Sequence, residues 1–62
     1  MQDMKAHLEK LRTDASECAL IRDLATDPIK RDLFTRLAKH LDTLAGEVEA
    51  AIAASLGGTE NA

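Results

Sequence analysis

The sequence predicts an all-α fold, an antiparallel helical hairpin that dimerises into a four-helix bundle. Three observations carry that prediction. Apolar residues recur at alternating steps of four and three in both halves of the chain. The single proline, Pro28, separates the two periodic stretches. The apolar residues are mostly Leu, Ile, Val and Ala, with one Phe and no Tyr or Trp. Such a composition suits closely packed helices better than a sheet, which draws on aromatic and β-branched residues.

The first stretch runs through Met4, Leu8, Leu11, Ala15 and Cys18. It makes one stripe of a helix expected over about residues 3–26, with Asp3 as its N-cap. The second runs through Phe34, Leu37, Leu41, Leu44, Val48 and Ala51, widened by Leu33, Ala38, Ala45, Ile52 and Leu56. This helix is expected over about residues 28–56, with Leu37, Leu41 and Leu44 at the centre of the core. At about 100° per residue the second stripe spans roughly 140° of the circumference, more than a two-helix seam requires.

Between the stretches lies Thr26-Asp27-Pro28. The proline ring clashes with a continuing helix and pushes Asp27 towards an extended conformation. Asp27 then fits an N-cap whose carboxylate accepts from Ile29 or Lys30, and Pro28 fits the first helical position, where its missing N–H costs nothing. So short a connection turns the chain back antiparallel; a continuous helix kinked at Pro28 is the structural alternative. Gly57-Gly58 supply a stop after Leu56, and residues 57–62 are expected as a flexible tail beyond a hairpin of residues 1–56.

Sixty-two residues allow one domain, and a domain of that size buries only about 60% of the surface of its unfolded chain. Small folds gain support from disulfides, a metal or association, and a lone cysteine, Cys18, excludes an internal disulfide. Association remains. Leu20 and Leu24 stand one turn apart on the side of helix one away from Met4, Leu8 and Leu11, which a single hairpin leaves uncovered. The expected oligomer interface is therefore Leu20, Leu24, Phe34, Leu37, Leu41, Leu44, Val48 and Ile52, in a symmetric homodimer.

A formal charge of −3, from eight Lys and Arg against eleven Asp and Glu, argues against a nucleic-acid partner held by phosphate contacts. Met1 to Leu11 is charged throughout, and no segment reaches the roughly 20 apolar residues of a membrane span. The expected setting is the cytoplasm, with which a reduced thiol agrees. Arg22, Lys30, Arg31, Arg36 and Lys39 interleave with Asp23, Asp27, Asp32 and Asp42. The pairs Asp27–Arg31 and Asp32–Arg36 have the favourable i, i+4 order, which reads as a self-compensated surface.

No residue constellation points to chemistry. His7, His40 and Cys18 are the only soft metal ligands, and none pairs with another at the spacing that sets two ligands on one helix face. Cys18 lies on the core stripe as a small hydrophobe without a neighbouring base. Glu9, Glu17, Glu47 and Glu49 lack the Glu-x-x-His pairs of carboxylate-bridged metal bundles. Gly46 falls on the polar side of helix two with Ala50 and Ala53. No catalytic residue, metal or cofactor is expected, and the function read from the residues is a non-enzymatic interaction or structural module with itself, or an unknown protein, as partner.

Ala15-Ser16-Glu17-Cys18, Leu24-Ala25-Thr26-Asp27-Pro28, Arg31, Leu33, Leu37-Ala38, Leu41 and Leu44-Ala45 together resemble a family of small alphaproteobacterial proteins of unassigned activity. Those proteins carry a Glu-Cys pair, an Asp-Pro turn, a following Arg, and two Leu-Ala pairs flanking an aromatic, a place that Leu41 takes here. The resemblance covers about residues 15–48. It implies a bacterial helical hairpin and carries no functional residue across. In layout alone the chain is similar to the plasmid Rop-type proteins, helical hairpins that dimerise into a four-helix bundle and bind an RNA pair. That likeness supplies the alternative function, an RNA-binding regulator, with no residue of the binding face matched.

Overall fold

A computed structural model describes residues 3–57, and they form two helices packed against each other: α1, Met4–Leu24, and α2, Pro28–Gly57. Helix α1 begins as its sequence requires. Asp3 is extended, and its Oδ1 accepts from the backbone N–H of Lys5 at 3.1 Å and of Ala6 at 3.2 Å, satisfying two amides that have no partner inside the helix.

The other boundaries differ slightly from expectation. Helix α1 stops at Leu24, two residues short of Thr26, because Ala25 has already left the helix at φ −74°, ψ 132°. This lets a three-residue link reverse the chain while the Ala25 methyl stays buried. Helix α2 runs through Gly57 rather than ending at Leu56, and the rest of the expected tail lies outside the described residues.

Polar contacts fasten the turn. Asp27 Oδ1 accepts from the N–H of Ile29 at 3.3 Å, so the aspartate caps α2 with Pro28 in the first position. The Arg31 guanidinium donates from Nη2 to the Ala25 carbonyl at 2.9 Å, reaching back across the break to an acceptor that α1 can no longer pair. The expected Asp27–Arg31 ion pair is therefore replaced: one partner holds an amide and the other a carbonyl. Arg36 and Asp32 do approach, at 3.7 Å, on an exposed surface.

The helix register follows from three levels. Arg31 meets Ala25 beside the turn. Midway, Ala15, Ala19 and Arg22 face Thr35, Ala38 and Asp42 across one groove. At the open end, Asp3 and Met4 face Ile52 and Leu56. On this register Leu8 falls opposite Val48, Leu11 opposite Ala45, Ala15 opposite Leu41, and Cys18 opposite Ala38. Arg12 and Glu49 add an exposed interhelical ion pair at 3.1 Å, a type that contributes only about 0–1 kcal/mol.

Large side chains do not occupy the centre of this seam. Among the described residues the buried ones are Ala15, Ala25, Ala38 and Ala45, all under one-tenth exposed. Leu41 and Leu44 are half-buried, and Leu37 remains 38% exposed. The expected core centre holds at Leu41 and is corrected by one position at Leu37 and Leu44, where Ala38 and Ala45 are the buried residues: the line of closest approach is Phe34, Ala38, Leu41, Ala45, Val48 and Ile52. Alanine suits that line because a small side chain lets two helix axes approach closely, towards the near end of the usual range of about 8–10 Å. The bulkier leucines pack alongside it.

Two measurements check this packing. Ala45→Leu should overfill the seam and cost about 1–3 kcal/mol in chemical denaturation; a neutral result would place Ala45 on the surface. Gly46 has nothing within 4 Å of an added Cβ, so Gly46→Ala should stabilise the fold by up to about 1 kcal/mol. A loss of stability instead would mean that a helix packs against Gly46.

Candidate interaction face

The seam divides each helix into two flanks, and sequence position decides which is which. One flank is identified by the groove of about 450 Å³ that carries Ser16 and Ala19 of α1 and Thr35, Lys39 and Asp42 of α2. In both helices these residues follow a seam residue directly. A step of one position turns the side chain by about 100°, so this front of the hairpin is small and polar. Arg12 and Glu49, which also follow seam residues, bridge it.

The residues that precede each seam position must then share the back. On α1 these are His7, Lys10, Asp14, Glu17, Ile21 and Leu24. On α2 they are Leu33, Leu37, His40, Leu44, Glu47 and Ala51. The back is therefore apolar towards the turn, where Ile21 and Leu24 stand at the level of Leu33 and Leu37, and increasingly charged towards the open end. Leu24 is 72% exposed and Leu33 43%. A lone exposed leucine is ordinary on a protein surface, whereas a contiguous apolar patch marks an interaction site.

The expected interface residues divide accordingly. Phe34, Leu41, Val48 and Ile52 lie in the seam, half-buried. Leu37 and Leu44 lie on the back flank, joined by Leu24. Leu20 is not brought to them: it stands on the outer side of α1, 58% exposed, beside Arg12, Thr13, Ser16 and Glu17. Sequence reasoning did not single out Ile21, and it read Leu33 as widening the core stripe of α2 rather than as part of an interface. Their signal was their place immediately before a seam residue, legible only once the seam is phased on Ala38 and Ala45.

The polar groups offer little chemistry. His7 and His40 are exposed and Cys18 is half-buried in the seam. Among the described residues no three His, Cys, Asp or Glu side chains come close enough to hold a metal ion. Nor do the basic residues gather on one surface. Arg22 pairs with Asp23 at 3.0 Å, Arg31 is held by the turn, and Arg36 lies against Asp32. Lys39 borders the front groove. No helix among the described residues is long and apolar enough to cross a membrane.

Comparison with family models, with curated proteins and with solved structures finds no match. The back flank is the feature that distinguishes one surface of this hairpin from the others.

Arg31 is the side chain on which the turn, and with it the alignment of the two flanks, most depends. Hydrogen bonds to charged groups contribute roughly 1.5–3 kcal/mol; Arg31→Met should cost about that much in thermal or denaturant unfolding. A change below about 0.5 kcal/mol would show that water satisfies the Ala25 carbonyl equally well.

Proposed function

We propose that this chain is a non-enzymatic interaction module that acts as a homodimeric helical bundle. One observation supports the reading above the others: the hairpin leaves Leu24 72%, Leu33 43% and Leu37 38% exposed, and among the described residues none larger than alanine is buried. Two helices cannot enclose these side chains. A second apolar flank can, and burying a leucine contributes roughly 1.5–3 kcal/mol, a large addition for a domain of this size. An identical copy is the simplest supplier of such a flank, and a twofold pair is the commonest closed arrangement of soluble chains. Folding and association then merge into one reaction whose apparent stability rises with protein concentration.

Sedimentation equilibrium over about three decades of concentration tests the reading. The expected species has about twice the 6.7 kDa chain mass, and a compact, fully helical monomer across that range would defeat it. Leu37→Glu should abolish association, with helicity falling at low concentration. Leu20→Glu, on the outer side of α1, should be nearly silent. Equal effects of the two substitutions would contradict the assignment of the back flank.

A further inference from the structure

We infer that the two copies pair with their turns at the same end, the twofold axis running parallel to the helices, so that α1 of each copy packs on α2 of the other. This rests on the self-association proposed above and assigns its topology. The reason is the order of side chains along the two halves of the back flank. Read from the turn outward, α1 presents Leu24 and Ile21, then Glu17 and Asp14, then Lys10. At the same levels α2 presents Leu33 and Leu37, then His40, then Leu44 and Glu47.

An axis parallel to the helices keeps those levels matched. Leu24 and Ile21 meet Leu33 and Leu37 of the second copy, Glu17 meets its His40, and Lys10 meets its Glu47. Each pair is repeated by symmetry. Complementary charge at the edge of an apolar strip sets register and excludes wrong partners.

The other twofold arrangement, with turns at opposite ends, lays α1 against α1 of the second copy in reverse. That brings Asp14 and Glu17 of both copies together about the axis and sets Leu24 against His7 and Lys10. It leaves apolar groups facing polar ones, because the open end of α1 offers Leu24 and Ile21 no apolar counterpart on the back flank. The apolar order of α1 therefore selects the first arrangement, whereas the leucines of α2 would permit either.

Two experiments on the full chain decide it. Spin labels on Thr26→Cys, in a Cys18→Ala background, sit at the turn of each copy. Turns at the same end should give one short distance, about one helix diameter plus the label arms, roughly 15–20 Å. A distance of about 30–40 Å, with the mass still dimeric, would overturn this topology and leave self-association standing. Monomer at every concentration would remove self-association itself. The second experiment mixes charge variants. Lys10→Glu and Glu47→Lys should each weaken their own dimer roughly tenfold or more, because both symmetric contacts become repulsive. Mixed, the two variants should form a heterodimer selectively, since both of its contacts between positions 10 and 47 then join opposite charges. Absence of rescue on mixing would refute the Lys10–Glu47 contact and the arrangement built on it.

Discussion

Everything else in this hairpin depends on how closely its two helices approach. Ala15, Ala38 and Ala45 occupy the line of contact, and small residues there let the backbones come near each other at the cost of apolar volume between them. The seam gains dispersion contacts along its whole length. It covers its own leucines, Leu8, Leu11 and Leu41, only in part, because full burial needs a deeper space than two helices provide. The fold thus keeps Phe34, Leu41, Val48 and Ile52 only half-buried in the seam and leaves Leu33 and Leu37 beside it.

That displacement makes the two flanks of the hairpin chemically unlike. A hairpin with leucines on both flanks would have no preferred face. Here the flank that follows each seam residue is polar, and Arg12 and Glu49 span it. The flank that precedes each seam residue carries Ile21, Leu24, Leu33, Leu37 and Leu44. The asymmetry arises from a single residue step on each helix, about 100°, and is consistent from the turn to the open end because both helices keep the same alternation of four and three.

The turn keeps this asymmetry in register. Asp27 caps α2 and Arg31 binds the Ala25 carbonyl at 2.9 Å, so the chain reverses at one place and with one alignment. A slip of one residue between the helices would move the Leu33 and Leu37 level away from Ile21 and Leu24 and break the apolar strip. The front groove follows from the same alignment, since it opens where Ala15, Ala19 and Ala38 leave space and where Thr35 bonds its own helix through Oγ1 to the Arg31 carbonyl. It is a consequence of small residues rather than a built pocket.

Much of the fold was legible in the residues themselves. Periodicity located both helices, Pro28 located the break, and Asp3 and Asp27 were recognisable as caps because each of these signals is local, acting within one or two helical turns. The candidate face was only half legible. Leu37, Leu44 and Leu24 stood out as apolar, but a stripe roughly 140° wide has no marked centre, and hydrophobicity alone favours placing leucine rather than alanine there. Only the packing of α1 against α2 decided that Ala38 and Ala45 take the centre. It moved Leu37 to the flank, added Ile21 and Leu33 to it, and left Leu20 on the outer side of α1. The helices were set by short-range chemistry; which of their apolar residues face one another was set by the distance between axes, a quantity that belongs to the pair and to neither helix alone.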